Sequence, residues 1–450
     1  MILADDLGYA DLGVQGGQDI PTPNIDSIAK TGVRFTNAYS SCPYCGPSRA
    51  GLMTGRYQTR FGYEFNPREG KVIPAEVLQL WKTRFGHEFT DYEGQTETQL
   101  GLPLSERTLA RRLKELGYAT AVIGKWHLGY PKRFRPTARG FDEFYGTLPA
   151  MGSHFSPRGF IDSRTSSEPG QMKEPGFYTT DAYGARAVDL IGRWKDRPFF
   201  IYLAFTAPHT PKQVPAEYLV RFTAIADEER RVYAAMVAAL DDAVGAVLAK
   251  LREHTLEENT LIFFLSDNGG PMTKMAKNGS RNGALKGQKG DTWEGGIRVP
   301  MFIQWKGGLP AGVVYDHAVI ALDILPTAVA AAGGTVKPEW KLDGVNLLPH
   351  LLGQKAGRPH ETLYWRFGPQ WAIRQGDWKL VLGYDYAATQ ASFQPLSLMV
   401  EPAPKLYNLA EDPGEKNDLA AQQPEKARAM LAAWKKWNAG QAAPAWPPNP

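Results

Sequence analysis

The feature of the sequence that most constrains the fold is a repeated alternation of continuous apolar runs with amphipathic helical stretches. Apolar runs occur at Ala119–Gly124, Pro198–Phe205 and Thr260–Leu265, and Val299–Trp305 is a further candidate. The stretch before each of the first three carries apolar residues at helical spacing. Strands that are apolar throughout are buried on both faces, which is typical of parallel sheets covered by helices. The sequence therefore predicts an α/β fold whose large, mostly parallel sheet is sandwiched by helices.

One of the predicted helices can be bounded residue by residue. It precedes the first apolar run and places Leu109, Leu113 and Leu116 on one face. We expect Ser105 to be its N-cap and Gly117 to end it.

Four of the predicted strands, with Met1–Ala4 taken as one of them, are directly followed by polar side chains. These side chains are carboxylates, an amide, a lysine and two histidines. They are Asp5 and Asp6 after Met1–Ala4, Lys125 and His127 after Ala119–Gly124, His209 after Pro198–Phe205, and Asp267 and Asn268 after Thr260–Leu265. Ligands bind at the carboxyl ends of parallel strands, so these side chains are expected to share one site. Lys125 and His127 are two residues apart, which predicts that both project to the same side.

The oxygen-bearing members of this set indicate a metal site. Asp5, Asp6, Asp267 and Asn268 offer only carboxylate and amide oxygens, which favour calcium or magnesium over zinc. One Asp-Asp pair is usually a turn or a helix cap. The second pair, after another strand, favours metal ligation.

The texture of the sequence changes after about Pro349, which divides the chain into a catalytic domain at residues 1–350 and a C-terminal domain at residues 351–450. Short strands at Trp371–Arg374 and Trp378–Leu382 flank a Gly-Asp turn. A turn-rich stretch and a helix from about Pro424 to Trp437 follow, which predicts a small α+β domain with a short antiparallel sheet. The proline-rich tail QAAPAWPPNP is expected to be disordered or held on the surface.

Bulk composition excludes some classes of protein. A net charge of +4 over 450 residues is too mild to indicate nucleic-acid binding. No run of eighteen apolar residues occurs, so no membrane span is predicted. Met1–Ala4 reads as the second half of a buried strand, so we expect upstream sequence, with any signal peptide, to be missing.

The chain has two cysteines, Cys42 and Cys45, spaced as C-x-x-C. This spacing is compatible with a redox site or with half of a zinc site. No second C-x-x-C is present to complete a zinc site, and the redox alternative stays open on spacing alone.

The segment that begins at Cys45 reads CGPSRAGLMTGR and ends at Arg56. It resembles the motif C-x-P-S-R-x-x-x-L-T-G-R of the sulfatase family in the alkaline phosphatase superfamily, with Met53 at the usual leucine position. The resemblance extends from ADDLGYADLG at Ala4 to LYNLAEDPGEKNDLA at Leu406.

This resemblance implies a chemistry for Cys45. A formylglycine-generating maturation enzyme would oxidise Cys45 to formylglycine, whose hydrated form supplies the attacking oxygen. One calcium ion per chain would be bound by Asp5, Asp6, Asp267 and Asn268, with an oxygen of the modified residue 45 completing the shell. Pro47 and the residues after it place Cys45 near a helix N-terminus, where the dipole favours anions.

The resemblance also implies roles for the remaining residues of the site. Arg49 would steady the formylglycine, Lys125 would contact the sulfate, and His127 would hold the formylglycine hydroxyl and act as a base. His209 would be the general acid for the leaving alcohol, work that suits a histidine with a pKa near neutrality.

A second family stretch, G-K-G-x-x-x-E-G-G, selects the last lysine. It aligns with the segment before Glu294-Gly295-Gly296 so that Lys289 becomes the sulfate clamp, and Lys286 is the second candidate.

The sequence therefore predicts a sulfuric ester hydrolase acting on a sulfated small molecule or saccharide, located in the periplasm or secreted. Three alternatives remain: a phosphonate or phosphate ester hydrolase of the same superfamily, an inactive glycan-binding relative, and a C-x-x-C oxidoreductase.

Other segments have weaker interpretations. The sequence TRFGxEF occurs at Thr59–Phe65 and again at Thr83–Phe89, as a local duplication or a lengthened pocket wall. Trp293 is a candidate for a sugar subsite. A set of loop residues could contact an anionic saccharide, although solvated surface is the simpler interpretation: His154, Arg158, Lys132, Arg133 and Arg135.

Overall fold

The computed structural model describes residues 1–67, 79, 82, 100–150, 152–272, 277–384 and 403–446 of the chain. The second TRFGxEF copy lies outside the described residues. The strands are β1 (Ile2–Ala4), β2 (Val33–Phe35), β3 (Ala38–Tyr39), β4 (Ala119–Lys125), β5 (Glu143–Thr147), β6 (Arg158–Asp162), β7 (Gly170–Gln171), β8 (Phe199–Ala204), β9 (Ile262–Ser266), β10 (Met301–Gln304), β11 (Val313–Tyr315), β12 (Val319–Ile320), β13 (Thr362–Phe367), β14 (Gln370–Gln375), β15 (Trp378–Leu382) and β16 (Lys405–Asn408).

The α-helices are α1 (Pro23–Lys30), α2 (Cys45–Thr54), α3 (Leu109–Glu115), α4 (Thr179–Trp194), α5 (Ala216–Leu219), α6 (Glu228–Glu253), α7 (Glu294–Ile297), α8 (Ile324–Ala331), α9 (Leu348–Leu351) and α10 (Pro424–Asn438). Short 3₁₀ helices include Lys132–Phe134 and Pro136–Arg139 in the connection between β4 and β5.

In the described part of the chain, ten strands form one sheet in the order β11-β2-β10-β9-β1-β8-β4-β5-β6-β7. The central strands β9, β1, β8, β4 and β5 are parallel to one another. The candidate strand at Val299–Trp305 forms β10, which runs antiparallel to β9. The predicted large, mostly parallel sheet is therefore confirmed, with antiparallel strands outside its centre.

Alternate residues of β1 enter two apolar cores, one on each face of the sheet. Leu3 lies in the core beneath α2, α3 and α8. Ile2 and Ala4 lie in the core beneath α1, α4 and α6. Burial on both faces explains why the central strands carry no polar alternation.

The boundaries of α3 differ from the prediction. Thr108, not Ser105, is the N-cap, because the Thr108 hydroxyl accepts a hydrogen bond from the Arg111 amide. Leu109 and Leu113 are buried as predicted, whereas Leu116 is 39% exposed because the helix has ended before it. Gly117 has a φ of 88°, the left-handed conformation expected of a glycine that follows a helix.

The C-terminal part forms an antiparallel sheet in the order β13-β14-β15-β16, with α10 packed against β14 and β15. The predicted hairpin is β14–β15. The first residues of the stretch predicted as turns, Leu406–Leu419, belong instead to β16, which pairs with β15 as a fourth strand. The domain division at residues 350 and 351 stays a prediction.

One buried side chain anchors the proline-rich tail. The Trp446 ring is 1% exposed and meets the Tyr63 ring edge-on at a centroid distance of 4.7 Å. The amide groups of Ala442 and Ala445 donate to the carbonyl oxygens of Thr59 and Gly62, while Ala443 and Ala445 are exposed. Of the two expected arrangements, disordered or held on the surface, residues 441–446 have the second.

Among the described helices, α6 is long and apolar enough to cross a membrane by length and composition. However, 72% of its most apolar window is buried inside the protein, and Leu240 and Val244 lie in the core. This is the pattern of a buried core helix.

Candidate active site

Helix α2 presents Cys45 as its first residue. Tyr44 precedes it in an extended conformation, and every residue of α2 is buried. Gly46 must lack a side chain, because a Cβ there would lie 2.1 Å from Oδ1 of Asn66. The Cys45 Sγ atom lies 3.5 Å from Asp5 Oδ1 and 3.8 Å from Asp6 Oδ1. Burial and the carboxylate of Asp267 raise the pKa of the Cys45 thiol well above its ordinary value.

The acidic residues converge because β1 and β9 are adjacent and parallel. Asp5 and Asp6 leave the end of β1, and Asp267 and Asn268 leave the end of β9. Asp6 has a φ of 64°, and its amide donates to Asp267 Oδ1 at 3.2 Å. This turn brings the two acidic pairs together at the carboxyl edge of the sheet, where the sequence placed them.

Two buried cations, Arg49 and Lys125, pair with these carboxylates. Arg49 donates from Nε and Nη2 to Asp267 Oδ2 at 3.0 and 2.8 Å, and Nη1 donates to the Lys125 carbonyl. The Lys125 ammonium is 2.6 Å from Asp5 Oδ2. Burial alone would raise the pKa of Asp5, but Lys125, His209 and Arg49 lower it to about 2.

Lys289 reaches the cluster and Lys286 does not. The Lys289 ammonium lies 2.7 Å from Asp6 Oδ1 and 5.3 Å from the centre of the Tyr44 ring. The Lys286 ammonium instead lies 3.8 Å from the centre of the Trp293 ring. Trp293 itself is 4% exposed in a core shared with Tyr407, so it is not an open sugar platform.

The cluster fits a hard cation. Potential ligand atoms of Asp5, Asp6, Cys45 and His209 all lie within 4.8 Å of one another. The amide oxygen Oδ1 of Asn268 is buried and accepts no hydrogen bond from the described residues. A buried acceptor without a donor is costly, and carboxylate and amide oxygens are the ligands that calcium prefers. The donor set therefore fits calcium.

His209 is oriented by its own loop. Its Nδ1 atom lies 2.5 Å from the Thr210 carbonyl oxygen, which can only accept, so Nδ1 carries a proton. Its Nε2 atom lies 3.5 Å from Asp6 Oδ2, at the edge of the cluster. Burial lowers the pKa of His209 below its ordinary value, and the two carboxylates Asp5 and Asp6 oppose that shift.

The position of His127 does not follow from the alternation of side chains along a strand, which the sequence predicted for Lys125 and His127. Strand β4 ends at Lys125, and His127 has a φ of 56°, so the two side chains are not related by strand periodicity. The His127 carbonyl accepts a hydrogen bond from the Tyr63 hydroxyl. Burial, followed by the charges of Lys125 and Arg49, lowers the pKa of His127 well below its ordinary value.

The comparison with known proteins identifies the family. The family model described as Sulfatase matches residues 1–334. This chain belongs to the sulfatase family. It is a sulfuric ester hydrolase, as the names of its relatives state.

Relatives of this sulfatase match it along most of their length. N-acetylgalactosamine-6-sulfatase of Homo sapiens is 31% identical, and the alignment covers 93% of this chain and 81% of that protein. Arylsulfatase J of Mus musculus is 30% identical, with 100% and 77% covered. The crystal structure of Ps i-CgsB in complex with k-i-k-neocarrahexaose matches with a TM-score of 0.82 and 33% identity, covering 99% of this chain and 93% of that chain.

Sequence reasoning missed a residue that holds His209. His154 was expected to be a solvated loop residue, and it does lie in a loop, but it is 1% exposed. Its Nε2 atom lies 2.9 Å from the His209 carbonyl oxygen and its Nδ1 atom lies 3.0 Å from Thr179 Oγ1. No motif marks this histidine, because its partners come from distant parts of the chain.

A second missed residue is Asp11. Its carboxylate accepts from Arg230 Nη1 and from the Tyr233 hydroxyl, each at 2.6 Å, and from the amides of Gly8 and Arg281. These bonds tie the loop after β1 to α6 and to the loop before Lys289. A signal was present, because Asp11 lies within the ADDLGYADLG segment that carries the family resemblance.

The basic loop residues separate into two groups. Lys132 and Arg135 form ion pairs with Glu168 on the surface. Arg133 lines a pocket together with Arg139.

Proposed function

We propose that this sulfatase hydrolyses sulfate monoesters of a sulfated carbohydrate, with formylglycine derived from Cys45 and one calcium ion. The observation that carries the proposal is the position of Cys45 at the N-terminus of α2, with its Sγ within 3.8 Å of Asp5 and Asp6 oxygens. Because the pKa of this thiol is raised, an unmodified Cys45 is a poor nucleophile at neutral pH.

The carbohydrate part of the proposal rests on the relatives. One is named for N-acetylgalactosamine-6-sulfate, and a solved structure of another carries a neocarrahexaose. A saccharide substrate is therefore the class we assign to this chain.

Bound calcium would change the net charge of the site. The carboxylates of Asp5, Asp6 and Asp267 are matched by the cations Arg49, Lys125 and Lys289, so the cluster has no net charge of its own. Bound calcium would make the site positive, neutralise sulfate oxygens and lower the pKa of the nucleophile. In this proposal its ligands are Asp5, Asp6, Asp267, Asn268 and an oxygen of modified residue 45.

The hydrate of formylglycine supplies the attacking oxygen and a second hydroxyl that can later release the sulfate. Each side chain then has one task. Lys125 and Lys289 hold sulfate oxygens, because the Lys125 ammonium contacts Asp5 and the Lys289 ammonium contacts Asp6. Arg49 fixes Asp267 through two hydrogen bonds and so orients the metal ligands.

Two histidines move protons. His209 directs Nε2 toward the leaving alcohol oxygen, since its Nδ1 proton is engaged by the Thr210 carbonyl. To act as the general acid it must carry a second proton on Nε2, a charged form that the carboxylates of Asp5 and Asp6 favour. His127 accepts a proton from the hydroxyl of residue 45, and burial, by lowering its pKa, keeps its ring neutral and able to accept.

The test begins with maturation. The chain is produced with and without a formylglycine-generating enzyme, and the mass of the Cys45 peptide is compared with turnover of 4-nitrophenyl sulfate. We expect turnover to follow the modified fraction. Cys45→Ala should abolish turnover, and the matched variant Cys42→Ala should retain it.

Three other outcomes would each favour one of the alternative functions. Faster turnover of an aryl phosphate or phosphonate than of the aryl sulfate would favour the phosphoryl ester hydrolase. Binding of sulfated glycans without any sulfate release would favour the inactive relative. Activity that needs Cys42 but not Cys45 would favour the oxidoreductase. The periplasmic or secreted location stays a prediction.

A further inference from the structure

A surface pocket separate from the Cys45 cluster is lined by four arginines. Arg107 and Arg111 lie at the start of α3, and Arg133 and Arg139 lie in the connection between β4 and β5. The cavity volume is about 500 Å³. This size lies within the range of ordinary ligand pockets, which is about 300 to 1,000 Å³.

Among the described residues, carboxylates only partly neutralise the positive charge of Arg107, Arg111 and Arg139 in this arginine pocket. The carboxylate that lines it, Glu106, accepts two hydrogen bonds from Arg56 Nη1 at 2.9 and 2.8 Å. Arg107 pairs with Glu115, with both side chains nearly half exposed to solvent. Within the described residues, Arg111 forms no ion pair.

Arg139 adds charge at the base of the pocket. It is 5% exposed, and its guanidinium donates to the carbonyl oxygens of Pro103 and Glu106. It forms no ion pair with a carboxylate of the described residues. Burial, followed by repulsion from Arg111, lowers the pKa of Arg139 to about 10. Repulsion between two neighbouring guanidinium groups is relieved when an anion lies between them.

We propose that the arginine pocket binds the sulfate groups of a sulfated saccharide chain, as a second site beside the catalytic one. Guanidinium groups bind oxyanions through paired N–H donors, so several of them favour a ligand with more than one sulfate. The inference rests on the proposed function, since a sulfated carbohydrate polymer carries such groups along its length. The second site would retain a polymer while one ester is cleaved at residue 45.

The test uses the double variant Arg111→Ala/Arg133→Ala, which leaves the buried Arg139 in place. The matched control is Arg252→Ala/Arg428→Ala, which removes the same charge from two exposed positions elsewhere. A sulfated carrageenan hexasaccharide and heparin are titrated into each variant on a Cys45→Ala background. We expect the pocket variant to bind about tenfold more weakly and the control to bind like the parent.

A lysine variant separates charge from geometry. Arg111→Lys/Arg133→Lys keeps the charge but loses the paired donors, so we expect only partial recovery of affinity. In the active enzyme, KM for a sulfated polysaccharide should rise in the alanine variant, and turnover of 4-nitrophenyl sulfate should not change.

Unchanged affinity for both sulfated probes would overturn the second site. Equal loss of affinity for duplex DNA would also overturn it as a saccharide site, because it would show a general polyanion surface. Failure of the proposed function is separate, since it would appear as absent turnover of 4-nitrophenyl sulfate in the matured parent enzyme. The binding measurements on the Cys45→Ala background need no turnover, so they test the second site whether or not the parent enzyme is active.

Discussion

At the scale of single residues, the unpaired oxygen of Asn268 makes the metal site testable without an activity assay. Calcium should raise the thermal midpoint of the parent protein, because a ligand at a hundred times its Kd stabilises the folded state by about 2.7 kcal/mol. In Asn268→Ala the increase should shrink, since Oδ1 of Asn268 has no other partner in the described residues. Differential scanning fluorimetry over a calcium titration measures both. Asn24→Ala, which removes an amide that binds Asp241 outside the cluster, is the control. An unchanged calcium response in Asn268→Ala would contradict the ligand assignment.

Arg49 should matter for stability as well as for turnover. Arg49→Met leaves the buried carboxylate of Asp267 without its two donors, and breaking a buried ion pair from one side costs about 3 to 5 kcal/mol. Arg49→Lys should lose less, because it keeps the charge but not the paired geometry. Urea unfolding with a chelator present measures the cost, and calcium should recover part of it. Equal stability of both variants and the parent would contradict this role.

The limits of sequence prediction at this scale have a physical cause. Asp5, Asp6, Asp267 and Asn268 could be placed together because strand ends in a parallel sheet share an edge. His154 could not, because it acts through a contact with the His209 backbone that depends on how two loops fold.

At the scale of elements, the C-terminal tail shows how one side chain anchors a proline-rich segment. The proline-rich composition predicted a tail that is disordered or held on the surface, and the Trp446 ring anchors the tail by packing against Tyr63. The same Tyr63 donates to the His127 carbonyl at 3.2 Å. The tail therefore supports the segment that carries His127.

Trp446→Ala should destabilise the protein by about 3 to 5 kcal/mol, the usual cost of removing a large buried aromatic ring. It should also lower kcat of the matured enzyme, because Tyr63 loses its packing partner. Trp446→Phe should recover most of both. Trp378→Ala, at a half-buried tryptophan on β15, is the matched control and should cost less. Chemical unfolding and 4-nitrophenyl sulfate kinetics measure the effects, and a tail variant as stable as the parent would show that the contact carries little energy.

Strand β16 could not be predicted from its local sequence, because pairing with a neighbouring strand decides its conformation. Lys405–Asn408 carries only a few residues between turn signals, so its local pattern favoured turns over a strand. Pairing with β15 decides its conformation, with Leu406 beside Leu380 and Tyr407 beside Lys379. Tertiary pairing of this kind is not visible in local propensity.

At the scale of the whole molecule, the four-stranded sheet is joined to the rest of the protein by a shared core and by buried charges. Tyr39 of β3 and Ile297 of α7 lie in one core with three residues of the four-stranded sheet, Trp365, Val381 and Tyr407. The periodicity of the sequence predicted the large sheet and the C-terminal sheet. It did not predict the shared core, because the residues of that core are spread over the whole chain.

The charged part of the joint centres on Lys379 of β15. Its ammonium lies 2.9 Å from Glu294 Oε1 and 2.9 Å from Glu415 Oε1, and all three side chains are buried. The Glu294 amide also donates to Glu415 Oε2 at 2.7 Å. Glu294 also pairs with Arg298 at 3.5 Å, so Glu294 is compensated by two cations, whereas the ion pair of Glu415 in the described residues is with Lys379. Burial, opposed in part by Lys379, raises the pKa of Glu415 from 4.5 to about 7.

This shift predicts a particular dependence of stability on pH. Between pH 4.5 and 7 the folded protein keeps a proton on Glu415 that the unfolded chain has lost, so stability contributed by Glu415 falls as pH rises through this window. The full shift corresponds to about 3 kcal/mol, and Glu415→Gln should remove the dependence because the amide mimics the protonated acid. Glu411→Gln, at an exposed glutamate of the same loop, is the control and should leave the slope unchanged. Urea unfolding at pH 5, 6, 7 and 8 measures the slopes, and identical slopes in the parent and Glu415→Gln would show that the joint is insensitive to this proton.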